Sequence, residues 1–197
     1  DRRAVSFISR RRLVSRPAVA LYPILAVAMF LVASCSRTDP NLHPDHVVQA
    51  VSTDQWVYVL SPTPGGTRLY VSCDAPNEDS ARMIILRASN CATIGSFPCG
   101  QLPMGMLFLP NDRYLYVADD PYLESMGKVW VVDVGKSRVV KEIPTGRDPK
   151  LLAATPDSRF VYVGSWASGR VLAVGTDDNV VVDTLDFPYS VGDVEVS

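Results

Sequence analysis

A proline turn followed by a short tyrosine–valine strand occurs three times in this chain at a regular interval. The turn prolines are Pro64, Pro110 and Pro156, 46 residues apart in both steps. The tyrosines that follow them are Tyr70, Tyr116 and Tyr162, with the same interval. A period of this size is typical of an array of similar supersecondary units. It divides the chain into repeats near residues 63–108, 109–154 and 155–197.

The middle repeat shows the composition of one unit. After the Pro110 turn, an aromatic and β-branched run at 114–117 has the character of a strand. Two further strand-like runs, 129–132 and 138–143, and a short apolar run, Leu151–Ala154, follow within the 46-residue interval. Four short strands per repeat predict a small antiparallel sheet that is buried on both faces when sheets stand radially around an axis. We expect Leu151–Ala154, with its small alanines, to be the innermost strand.

The other repeats keep this register, which predicts an all-β chain. Met83–Leu86 lies 46 residues before 129–132, and Gly169–Val174 lies 42 residues after 127–132, with a loop four residues shorter between them. The prediction is a partial β-propeller over 54–197, with about three four-stranded antiparallel blades. Because a complete ring takes about four to eight blades, we expect a fragment of a longer protein rather than an assembly of several chains.

The strand motif also resembles a known family. Tyr70–Cys73, Tyr116–Asp119 and Tyr162–Ser165 resemble the Tyr-Val-Thr-Asn (YVTN) repeat of bacterial and archaeal β-propellers. Thr155–Ser158 resembles that family's Thr-Pro-Asp-Gly turn. The resemblance covers about residues 57–197. It implies a secreted or surface-attached propeller of the kind that often has no assigned activity.

Residues 1–34 have the parts of an export signal. Six arginines fall within the first 16 residues, and an uncharged apolar run follows at 18–33. A basic region, an apolar region and small residues before a cleavage point make up a secretory signal, which we expect to be helical. Val32–Cys35 resembles the bacterial lipobox, in which the cysteine is acylated. The resemblance implies lipidation at Cys35 and a membrane anchor at the cell envelope, on the outer membrane or the periplasmic or extracellular face. An ordinary signal peptide is the alternative.

Residues 35–53 are polar and contain two prolines, as flexible tethers do. Both histidines of the chain, His43 and His46, lie here. A closed metal site usually needs about four ligands, and the stretch His43–His46 offers three, the two histidines and Asp45. The sequence therefore predicts a solvated tether and no metal site.

Charge and missing motifs exclude several functions. From Cys35 onward, 13 basic and 20 acidic side chains give a formal charge of −7, which argues against nucleic acid as a partner. The chain has no histidine after position 46, so its body has no Ser-His-Asp triad. It also has no phosphate-binding glycine loop and no Cys-x-x-Cys-His haem motif. We therefore predict no catalytic residues and no cofactor.

Five residues of the body are candidates for local roles. Cys91 and Cys99 flank a turn-rich segment and are a possible disulfide in an oxidising compartment. Asp119 and Asp120 are paired acids in a predicted loop, with oxygen ligands that suit calcium; solvated loop acids are the alternative. Trp166 lies in a short loop and is a possible contact of the propeller rim; packing against its own blade is the alternative.

These features predict a non-catalytic, lipid-anchored propeller whose rim loops bind a protein, a glycan or a small molecule. The alternative is an exported enzyme or electron-transfer subunit, lactonase-like or dependent on a quinone or haem, with its active site on blades outside these residues. The fold does not distinguish the two, because one architecture supports many functions.

Overall fold

A computed structural model describes residues 56–73, 81–121 and 126–196, and short strands at 5–6, 31–32 and 50–51. None of these residues is helical. The strands are β1 (Val5–Ser6), β2 (Leu31–Val32), β3 (Ala50–Val51), β4 (Val57–Pro62), β5 (Arg68–Cys73), β6 (Arg82–Arg87), β7 (Thr93–Pro98), β8 (Pro103–Phe108), β9 (Tyr114–Asp119), β10 (Lys128–Asp133), β11 (Arg138–Pro144), β12 (Pro149–Ala154), β13 (Phe160–Ser165), β14 (Arg170–Gly175), β15 (Val180–Asp186) and β16 (Glu195–Val196).

Strands β4 to β15 form three four-stranded antiparallel sheets. The first sheet contains β4–β7, the second β8–β11 and the third β12–β15, with neighbours in chain order throughout. The first strand of the second sheet, β8, contacts both β4 and β12. The sheets therefore stand side by side around an axis with their first strands innermost, which is the arrangement of propeller blades. The two-residue strands pair as β1 with β16 and β2 with β3.

The sequence repeat and the sheet are out of phase by one strand. We expected the strands of residues 109–154 to form one sheet, but β12 pairs with β13 in the next one. The reason is local, because the turn at Pro156 closes a tight hairpin. In it the N–H of Thr155 donates to the carbonyl of Phe160 at 3.0 Å, which joins β12 directly to β13. The last strand of each repeat thus becomes the first strand of the following sheet, and β12 is innermost, as its composition predicted.

Alternating side chains make a core on each side of the second sheet. The core between the first and second sheets includes the buried residues Tyr70, Met83, Phe97, Leu115 and Val117. The core between the second and third sheets includes Tyr116, Val129, Val131, Val161 and Val163. Both faces of the second sheet are therefore apolar and covered, because successive side chains of a strand point to opposite faces.

The third sheet has no neighbouring sheet on its outward face among the described residues. Phe97, Ile143 and Leu185 are equivalent, with intervals of 46 and 42 residues. Phe97 and Ile143 are 8% and 3% exposed, but Leu185 is 42% exposed. All seven residues of β15 are exposed. The described part of the ring therefore ends at a face of the kind that the other two sheets bury.

The predicted disulfide between Cys91 and Cys99 is wrong. The segment between them is the strand β7 rather than a turn, which the low β-propensity of Gly95 and Ser96 had concealed. At about 3.3 Å per residue, a six-residue strand separates its ends by about 20 Å, whereas bridged Cα atoms lie within about 7 Å. The two cysteines keep their thiols and lie in different cores.

Apart from the short strands β1 and β2, the predicted export signal lies outside the described residues, as do Cys35 and, apart from β3, most of the tether. No described segment forms a helix that is long and apolar enough to span a membrane.

Candidate interaction rim

The connections that follow β9, β11 and β13 meet at one end of the second and third sheets. We call this end the upper rim and define it by Asp119, Asp120, Asp148, Lys150 and Trp166. Asp119 ends β9 and pairs with Lys128 at the start of β10. The backbone N–H of Trp166 donates to the carbonyl of Asp148 at 2.9 Å. The structure therefore brings the three residues predicted for the rim to one end of the fold.

Asp119 is a structural residue of this rim and lies in a strand, not in a loop as expected. It is the last residue of β9 and is buried. Its Oδ1 accepts hydrogen bonds from the backbone N–H groups of Gln101 at 2.8 Å and Leu102 at 2.6 Å. Its Oδ2 accepts one from the indole N–H of Trp130 at 2.9 Å. The carboxylate thus ties the connection between the first two sheets to the hairpin of β9 and β10.

Gly100 is required for this arrangement. Its φ is +77°, and a Cβ atom at this position would lie 2.7 Å from the carboxyl carbon of Asp119. Only glycine combines a left-handed backbone with no side chain at low cost. The close approach of Gly100 lets the following two N–H groups reach the carboxylate.

A second carboxyl of the rim, Asp120, is buried beside Asp148. Desolvation is the main reason that the pKa of Asp120 lies above its ordinary value, and the neighbouring charge of Asp148 adds to it. Lys150 acts in the opposite direction. The Nζ of Lys150 lies 2.6 Å from Oδ1 of Asp148, so the ammonium group is already engaged. Among the described residues, no group of three His, Cys, Asp or Glu side chains is arranged to hold a metal ion.

The two tryptophans near the rim differ in exposure. Trp130 is half-buried, packs against the core between the first and second sheets, and donates its indole N–H to Asp119. The Nζ of Lys128 lies 5.4 Å from the centre of the Trp130 ring, within the range of a cation–π contact. Trp166 is 46% exposed. The loop position of Trp166 agrees with the prediction, and its ring adds an exposed aromatic surface to the upper rim.

The third sheet lacks the tie that Asp119 provides in the second. The equivalent residue, 46 positions later, is Ser165. Its Oγ is buried and meets no hydrogen-bond partner among the residues that the structure describes. The serine oxygen lies one bond closer to the backbone than the aspartate oxygens, and it does not reach the backbone of the connection between the second and third sheets. Sequence reasoning missed Asp148 and Lys150, since neither occupies a repeated position of the motif.

No protein-family profile and no curated protein matches the chain, but solved structures do. Hydrazine synthase from Kuenenia stuttgartiensis is 22% identical with a TM-score of 0.60, over 71% of this chain and 39% of that one. The WD40 repeats of RRP9 are 14% identical with a TM-score of 0.62, over 74% and 43%. A protein of unknown function from Desulfotomaculum acetoxidans is 11% identical with a TM-score of 0.58, over 70% and 43%.

These likenesses concern the fold alone. WD40 repeats build β-propellers, and the three sheets of this chain therefore belong to that architecture. The match spans less than half the length of each of these structures, between 39% and 43%.

Proposed function

We propose that this chain is part of a non-catalytic β-propeller that presents the upper rim to a binding partner at the cell envelope. The observation that carries the proposal is Trp166, an exposed indole on a rim with a rigid framework. Asp119 supplies that framework in the second sheet through three hydrogen bonds, two from the connection between β7 and β8 and one from Trp130 on β10. Tryptophan is enriched among the interface residues that dominate binding energy.

The lipid anchor rests on sequence alone. Val32–Cys35 follows an apolar run in the position that a lipobox takes. An anchor at Cys35 and a polar tether to residue 53 would place the propeller within a short distance of a membrane surface. This geometry favours a partner in the envelope, either a protein or a glycan, over a nucleic acid, which the acidic body disfavours.

Photo-cross-linking tests the rim. A photoreactive phenylalanine analogue at position 166 is compared with the same analogue at Val140, which is 41% exposed on β11, away from the rim. The proposal expects a discrete cross-linked species from position 166 in intact cells and none from position 140. The absence of any species from 166, or an identical pattern from both positions, would contradict it.

The anchor has a separate test. Incorporation of labelled palmitate is expected for the natural chain and not for Cys35→Ala. Equal labelling of both chains would show that Cys35 is not the attachment point, while the cross-linking result would still decide the role of the rim.

A further inference from the structure

A cavity of about 210 Å³ lies between the first and second sheets, away from the upper rim. Its lining includes Arg68, Ile85, Ile94, Gly95, Phe97 and Ser137. Ile85 and Phe97 belong to the buried core between these two sheets, and Ile94 is 42% exposed. The cavity therefore has an apolar floor beneath a mouth that solvent reaches.

The repeat explains why this space is open. At the next interface, 46 residues later, Gly95 is replaced by Lys141. The Nζ of Lys141 crosses to the third sheet and donates to the carbonyl of Asp178 at 2.8 Å. Ser137 is replaced, 42 residues later, by Asn179. Long side chains thus stand at the second interface where the first has a glycine and a serine.

Two polar side chains at the first interface have no partner among the described residues. At the second interface, one of the equivalent side chains carries no charge and the other has a hydrogen-bond partner. Arg68 pairs with no carboxylate among the described residues, and the residue opposite it on β6 is a second arginine, Arg87. Two residues along the same face of β5, the buried hydroxyl of Tyr70 meets no hydrogen-bond partner in the described part of the chain. The residue equivalent to Arg68 is Tyr114, which is buried in the second core and carries no charge.

We propose that this cavity binds a small monocarboxylate with a compact apolar body. The carboxylate would pair with the guanidinium of Arg68, because arginine binds planar oxyanions with two parallel hydrogen bonds. The apolar body would lie on Ile85 and Phe97. An apolar cavity of about 150 Å³ holds benzene, so 210 Å³ suits a molecule the size of benzoate. It is smaller than the ~300 Å³ at which pockets for drug-sized ligands begin.

Benzoate is the test ligand and benzamide, its neutral isostere, the ligand control. Binding is followed by methyl NMR of isoleucine, with Ile85 and Ile94 as reporters and Ile143, in the other core, as internal control. We expect benzoate to shift the Ile85 and Ile94 signals and to bind at least tenfold more tightly than benzamide. Arg68→Met should remove that preference.

The double variant Gly95→Lys, Ser137→Asn fills the cavity with the residues that the chain uses at its second interface. It should fold, because those side chains are accommodated there, and it should lose the benzoate shifts. The proposal is overturned if benzoate leaves the Ile85 and Ile94 signals unchanged in the natural chain. It is also overturned if the filled variant binds equally well, or if benzamide binds as tightly as benzoate. None of these results depends on Trp166, so they are independent of the function proposed for the rim.

Discussion

Tyr116 donates its hydroxyl hydrogen to the side-chain oxygen of Asn179 across the interface between the second and third sheets. Both residues are buried, and burial raises the pKa of the Tyr116 hydroxyl, so it remains a donor at neutral pH. Tyr70 occupies the same position at the first interface, where its hydroxyl meets no partner among the described residues. The Tyr116 hydroxyl thus has a hydrogen-bond partner across its interface, and the Tyr70 hydroxyl has none among the described residues.

Removing the two hydroxyls is therefore expected to have unequal effects. Tyr116→Phe should lower the free energy of unfolding by about 1–3 kcal/mol, because it leaves the buried Asn179 oxygen without its donor. Tyr70→Phe is the matched control and should leave stability unchanged or raise it slightly. Urea denaturation measures both; equal losses would show that the Tyr116 bond contributes nothing.

Asparagine at position 137 should supply the missing partner of Tyr70. Ser137 has a φ of +50° and Asn179 one of +55°, and asparagine tolerates this region better than most residues. Ser137→Asn is expected to raise the free energy of unfolding by about 0.5–1.5 kcal/mol. The gain should vanish in a Tyr70→Phe background. A gain that persists there would come from packing and not from the hydrogen bond.

Gly100→Ala tests the close approach at the upper rim. The added Cβ would meet the Asp119 carboxyl at 2.7 Å with φ at +77°, and we expect a loss of at least about 2 kcal/mol from strain of this kind. Gly65→Ala is the control, since a Cβ there meets nothing within 4 Å. Chemical denaturation of both variants gives the comparison. If Gly100→Ala loses no more unfolding free energy than Gly65→Ala, glycine is not required at position 100 for steric reasons.

The burial of Asp120 predicts a particular pH dependence. Because its pKa is raised in the folded chain, the folded state binds this proton more tightly than the unfolded state. Stability is therefore lost as the pH rises from the ordinary carboxyl range, about 3.9, through the raised pKa. Asp120→Asn should stabilise the chain at pH 7 and give no such gain near pH 3.

The control for this experiment is Asp177→Asn, at an exposed position. Thermal denaturation of the two variants and the natural chain across the pH range separates the two sites. If Asp120→Asn raises stability equally at pH 7 and near pH 3, protonation of Asp120 does not contribute to the pH dependence.

Much of the fold was predictable because the interval between the repeats and the composition of the strands indicate the same strand positions. The repeated tyrosines predicted the positions of β9 and β13, and the apolar run at 129–132 predicted β10 to within one residue at either end. The strand β7 was missed, because Gly95 and Ser96 have the composition of a turn and are strand residues only through pairing with β6. The assignment of β12 to the wrong sheet came from reading the repeat as the folding unit.

The site was less predictable, for reasons of burial. The sequence shows that Asp119 and Asp120 are adjacent, but not that the first is enclosed by backbone N–H groups from a connection 17 and 18 residues away. It gives no sign of the ion pair between Lys150 and Asp148 beside them. The cavity near Arg68 is visible in sequence only after the repeats are aligned, when Gly95 and Ser137 stand against Lys141 and Asn179.

The offset between repeat and sheet determines where this chain can be divided. A break at Pro110 or Pro156 would separate the two strands of one hairpin and leave each piece with an unpaired edge. A break near residue 101 or 147 would pass between complete sheets instead. Separately expressed pieces of this chain should therefore associate when they are cut between complete sheets, even though the repeated motif marks the turns inside the hairpins.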